Sequence, residues 1–132
     1  MKHNWKSTIF AVAIVLMLVV LVGRPQLAAK TKAAKSPFGA IAYSFKTTEF
    51  GIGAGDTKAE AKKNALGFCA KADCETLVEY HNEWGSLAAS KDGFYGAGVG
   101  ATKAEAQKNA MDFCKASSKS CALVTTDCTC ED

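Results

Sequence analysis

The residues of this chain that could do chemistry are six cysteines, one histidine among carboxylates, two matched glutamates and two runs of alternating glycine. Cys69 and Cys74 stand five apart, and Cys114 and Cys121 stand seven apart at equivalent places in a second copy of the same segment. A copied unit most simply repeats its own bridge, so the expected disulfides are Cys69–Cys74 and Cys114–Cys121. Cys128 and Cys130 have no counterpart in the first copy, where the same offset lands on His81 and Glu83. A bridge across one residue is strained; the two are left open between that link, pairing with another chain, free thiols and a redox pair. No Cys-x-x-Cys exists and His81 is the sole histidine after the leader, so the sequence gives no metal site and calls for no cofactor.

The remaining candidates have plainer explanations. His81 lies near Glu79 and Glu83, but nucleophilic catalysis would want a Ser or Cys beside it, and spacing shows none. Glu60 and Glu105 are accounted for by the capping boxes Thr57-Lys-Ala-Glu60 and Thr102-Lys-Ala-Glu105. Gly51-x-Gly53-x-Gly55 and Gly96-x-Gly98-x-Gly100 precede helices, as a phosphate loop would. Alternation, however, puts all three glycines on one face of a strand, and the spacing is not that of a dinucleotide fingerprint. A flat face for helix packing is the expectation. No residue is assigned a catalytic role. Tyr80, His81 and Trp84 are the candidate binding residues; Trp84 and Tyr80, with Tyr95 and Phe94, form either an exposed aromatic patch or part of the core.

The elements that position these residues are set by a duplication. Phe50 to Cys69 returns as Tyr95 to Cys114 at an offset of 45; Phe38-Gly-Ala-Ile-Ala returns as Trp84-Gly-Ser-Leu-Ala at 46; and Cys74 returns as Cys121 at 47. An offset that drifts only at loops marks a repeated structural unit. Each unit, about 38–80 and 84–127, reads as strand, strand, helix, strand. Gly39–Ser44 and Gly85–Ser90 are apolar runs of strand length, and Lys46–Thr48 and Lys91–Gly93 are hairpin turns. Leu77–Tyr80 and Ala122–Thr125 are third strands. On the helices, Ala61, Ala65 and Phe68 share one face, as do Ala106, Ala110 and Phe113. Neither unit buries enough surface alone. The expected fold is therefore α+β: two ββαβ repeats sharing one antiparallel sheet, both helices on one face, stapled by disulfides.

Outside that domain, Lys2 and Lys6 precede an apolar run from Ile9 to Val22, 14 residues long. This suits a signal peptide and is short of the about 20 residues a membrane span needs. Residues 1–29 read as a signal peptide or an uncleaved anchor, 30–37 as a flexible linker and 38–132 as the duplicated domain. Arg24, Lys30, Lys32 and Lys35 after the run oppose translocation under the positive-inside rule. The even, dense cysteine set argues for an oxidising compartment and outweighs them. The expected location is secreted or periplasmic, with membrane contact only through an uncleaved leader. From Pro37 onward the chain carries 10 Lys, no Arg and 13 Asp plus Glu, a net charge of −3. Nucleic-acid binders cluster Lys and Arg, so that class is excluded.

The run Phe38-Gly-Ala-Ile-Ala-Tyr-Ser, the Thr-Lys-Ala-Glu-Ala helix ending in Phe-Cys, Trp84-Gly-Ser-Leu-Ala and the second helix after Tyr95-Gly resemble, in that order, the bacterial domain of unknown function 4189. The resemblance covers Phe38 to Cys128 and implies a small secreted or periplasmic protein without an established activity. Members of that family often carry a Cys directly before the Gly-x-Leu-Ala run, the natural partner of a C-terminal cysteine. Here Trp84 stands in that place. With no convergent set of titratable groups, the expected function is a protein-binding module of inhibitor, immunity or host-facing type. Its partner would be another protein in the envelope or outside the cell. The alternatives are a thiol-based oxidoreductase using Cys128 and Cys130, or a structural envelope component.

Overall fold

A computed structural model describes residues 36–131. The leader and residues 30–35 of the linker lie outside the described residues. The order is β1 (Phe38–Tyr43), β2 (Phe50–Gly55), α1 (Lys58–Cys69), β3 (Glu75–His81), β4 (Trp84–Ala89), β5 (Tyr95–Gly100), α2 (Lys103–Lys115) and β6 (Ala122–Cys128). Each half of the domain thus runs strand, strand, helix, strand. Both helices begin on the capping threonines: Thr57 and Thr102 Oγ1 each accept a backbone N–H at 3.2 Å, from Glu60 and Glu105. The glutamates reach back one residue beyond the cap, Glu60 accepting from the Asp56 N–H and Glu105 from the Ala101 N–H at 3.0 Å.

The strands form two three-stranded antiparallel sheets, ordered β2-β1-β3 and β5-β4-β6, in place of the single shared sheet expected. The central strands explain the difference, because both of their faces are apolar. Ala40 and Ala42 of β1 pack with Ala61, Ala65 and Cys69 of α1. Alternate residues Ile41 and Tyr43 point the other way and meet Val78, Tyr80, Leu87 and Ala89 in a core shared by both halves. Ala88 of β4 packs with Ala110 and Cys114 of α2. In one flat sheet with both helices on one face, the Ile41–Leu87 side would face water. Stacking the sheets buries it, and each helix lies on the outer face of its own sheet rather than both on one face.

The glycine runs make that packing close. A Cβ on Gly51, Gly53 or Gly55 would run into the backbone of α1 between Glu60 and Cys69, and one on Gly96, Gly98 or Gly100 into α2 or the Glu105 side chain. The alanine faces of the helices rest directly on these glycine floors. So tight a seam corrects one expected detail. Ala61, Ala65 and Cys69 line the inner face of α1, and Ala106, Ala110 and Cys114 that of α2. Phe68 and Phe113 do not; they are 73% and 67% exposed. A phenyl ring is too large for a space sized for alanine.

Candidate functional site

Tyr80, His81 and Trp84 gather where β3 passes into β4, but they do not form one exposed patch. The register sets Tyr80 opposite Gly39 on β1 and Asp127 opposite Gly85 on β4. The Tyr80 ring fills the space above both glycines, between the sheets, where it is 3% exposed. Its hydroxyl donates to Asp127 Oδ2 at 2.6 Å. Burial, and then the Asp127 carboxylate, hold the phenol proton well above its ordinary value of 10.0. Tyr80 is therefore a core residue, the packing alternative of the two, and not a surface anchor for a partner.

His81, one residue on, is exposed. Its ring lies over Phe38, with centroids 4.4 Å apart. A cleft of about 170 Å³ opens there between Phe38, Lys58, Glu79, His81 and Glu83. Lys58 and Lys62 both form ion pairs with Glu79, the latter at 3.0 Å, so this carboxylate is already neutralised. The cleft is smaller than the roughly 300 Å³ at which small-molecule sites begin. It offers an imidazole without a nucleophile to activate. Among the described residues no three His, Cys, Asp or Glu side chains gather as metal ligands would.

Trp84 begins β4 half-buried, directly opposite Cys128 at the end of β6. The cysteines of the domain are all bridged. Cys69–Cys74 and Cys114–Cys121 each tie the end of a helix to the start of the next strand. The third bridge joins Cys128 to Cys130, and the Cys130 N–H donates to Cys128 Sγ at 3.0 Å.

Two surface features escaped the sequence reading. One is the exposure of Phe68 and Phe113. Spacing carried no signal of it: Ala61, Ala65 and Phe68 fall on one helix face as well as Ala61, Ala65 and Cys69 do, and only the closeness of the seam separates the two sets. The other is a groove of about 350 Å³ where the sheets part at the opposite end, lined by Tyr43, Phe45, Ala89, Leu123 and Val124 with Lys91 beside them. Tyr43 and Phe45 meet edge to face at 5.0 Å. No sequence signal predicts this groove, because its walls come from strands far apart along the chain.

A family model described as a domain of unknown function (DUF4189) matches residues 38–128. No curated protein and no solved structure matches the chain.

Proposed function

The chain belongs to the family described as a domain of unknown function (DUF4189), and since that description assigns no activity, we propose from the geometry that this is an exported binding module acting by contact with another protein. The observation that carries the reading is the pair Phe68 and Phe113. Each stands in the last turn of a helix beside a bridged cysteine, Cys69 or Cys114, and projects most of its ring into water. A helix end pinned in this way holds the backbone under each ring in place, so less freedom is lost when a partner covers it. Large, rigid aromatics of this kind carry most of the energy in protein interfaces.

Export is supported by three disulfides in one small domain, which an oxidising compartment would maintain. No helix among the described residues is long and apolar enough to cross a membrane. The partner is a protein of the envelope or of the exterior, with inhibitor, immunity and host-facing roles as versions of one mode of action. The Arg-free domain, of net charge −3 from Pro37 onward, does not favour nucleic acid. The reading is of contact rather than turnover, since the His81 ring meets Phe38 at a tilt and, among the described residues, no Ser or Cys lines its cleft.

The test uses the tagged chain expressed with its leader and recovered from outside the cytosol, with a mature N-terminus expected near Lys30. A protein captured from the producer's envelope fraction or from host secretions should be retained by His81→Ala. It should be lost, by about tenfold or more in affinity, with Phe68→Ala or with Phe113→Ala, according to which of the two outer faces the partner covers. Capture that survives the double Phe variant would overturn the contact surface. Full-length chain with reduced cysteines in the cytosol would overturn the compartment.

A further inference from the structure

The Cys128–Cys130 bridge stands outside the scaffold that the two halves have in common. Cys69 and Cys114 are buried under their helices, 3% and 0% exposed, and their bridges occupy matching places. Cys128 and Cys130 take the positions that His81 and Glu83 hold in the first half. The first half folds to the same order of elements with no bridge there, so this one is not needed to close the architecture.

Its surroundings favour reaction. Both cysteines are only partly buried, at the end of the edge strand β6. The bridge spans a sequence separation of 2, so the backbone at Thr129 must curl to close the ring. Disulfides that are strained or exposed are the ones most readily opened by thiols. The Cys130 N–H, 3.0 Å from Cys128 Sγ, is placed to stabilise a thiolate at Cys128. Between the two in sequence, Thr129 is buried with its hydroxyl unpaired among the described residues.

We infer that Cys128–Cys130 is a thiol–disulfide exchange site that oxidises a dithiol of a protein or peptide substrate. A substrate thiolate attacks Cys130 Sγ, the bond between the two cysteines breaks, and Cys128 leaves as a thiolate held by the Cys130 N–H. The second substrate thiol, losing its proton, attacks the substrate sulfur of the mixed disulfide. The substrate disulfide forms and Cys130 is released; both protein sulfurs take up protons. Two electrons and two protons pass from the dithiol to the bridge, and no other reactant is consumed. This goes beyond the contact reading and does not depend on Phe68 or Phe113.

The experiment mixes the fully oxidised chain with an equimolar reduced dithiol peptide without oxygen, then quenches with acid, alkylates and maps the label. The peptide should become oxidised while label appears on Cys128 and Cys130, at least about tenfold faster than on the other four cysteines. A glutathione adduct trapped early should sit on Cys130. In Cys128→Ser with Cys130→Ser, peptide oxidation should fall to background while both remaining bridges stay intact. Label appearing equally on all six cysteines, an adduct on Cys128, or full oxidation by the double variant would each overturn the assignment. The wild-type labelling order decides the matter even if the double variant fails to fold.

Discussion

The two halves tie helix to third strand at the same positions with different chemistry. In the first, Lys62 Nζ meets Glu79 Oε1 at 3.0 Å, with Lys58 on the same carboxylate. In the second, Gln107 Nε2 donates to Thr126 Oγ1 at 3.1 Å, a neutral bond. The loops differ by reversal. Ser44 Oγ donates from the first hairpin to Asp73 at 2.7 Å, holding that carboxyl below its ordinary 3.8, whereas Asp92 in the second hairpin accepts from Ser118 and Ser120 at 2.9 and 3.1 Å. At the hairpin turn itself, left-handed backbone falls on Thr48 in one half and Gly93 in the other.

What does not differ is the seam between helix and sheet: the threonine caps, the alanine faces, the glycine floors, and Asn64 and Asn109, whose Nδ2 atoms donate to the carbonyls of Ala54 and Val99 at 2.8 and 3.0 Å. Polar contacts of this kind tolerate exchange because each group needs only a partner of matching polarity, charged or neutral. A seam in which backbone touches backbone has no such freedom.

The halves must also differ where they meet. Tyr80 and Asp127 occupy equivalent places in β3 and β6, related by the same offset as Cys74 and Cys121, and they bond to each other. The space above Gly39 and Gly85 admits one ring, so one half supplies the ring and the other its acceptor.

Breaking that contact should have the largest effect. Tyr80→Ala should cost roughly 3–5 kcal/mol in denaturant unfolding by leaving a cavity between the sheets, and Tyr80→Phe about 1–3 kcal/mol by leaving the carboxylate unpaired. Because the folded phenol titrates above its ordinary 10.0, its contribution is intact below that pH and is lost as pH rises further. Wild-type stability should therefore fall more steeply above pH 10.0 than that of Tyr80→Phe. Exchanging the pair, Tyr80→Asp with Asp127→Tyr, should restore more stability than either single change retains. If the exchange restores nothing, the two places are not equivalent.

The seam gives the next largest effect and should show no difference between halves. Gly53→Ala and Gly98→Ala each drive a methyl into helix backbone and should each cost about 1–3 kcal/mol or more, agreeing within about 0.5 kcal/mol. Gly67→Ala is the contrast: nothing lies within 4 Å of its added Cβ, and the helix should gain up to about 1 kcal/mol. A cost at Gly53 with none at Gly98 would show that the seams are not alike.

The smallest effect should separate the halves by salt. Glu79→Gln should cost less than about 1 kcal/mol at low ionic strength and almost nothing in high salt. Thr126→Val removes the neutral counterpart, and its cost should not change with salt. Urea titrations of both variants at two salt concentrations check this.

The sequence by itself determined what is local. Helix starts follow from Thr and Glu three residues apart, because a cap is satisfied within one turn. The flat strand faces follow from alternating glycine, because strand side chains alternate. Only the tertiary structure decided how these pieces are layered, and three outcomes show why. The apolar side of Ile41 found a second sheet instead of a wider one, since periodicity marks a face as buried without saying what buries it. Phe68 and Phe113 went to the surface although they are apolar, since the width of the helix–sheet gap is set by glycines elsewhere in the chain. Tyr80 turned inward to Asp127, 47 residues away, since the closeness of distant residues is fixed by the stacking of the sheets and is written in no stretch of neighbouring residues.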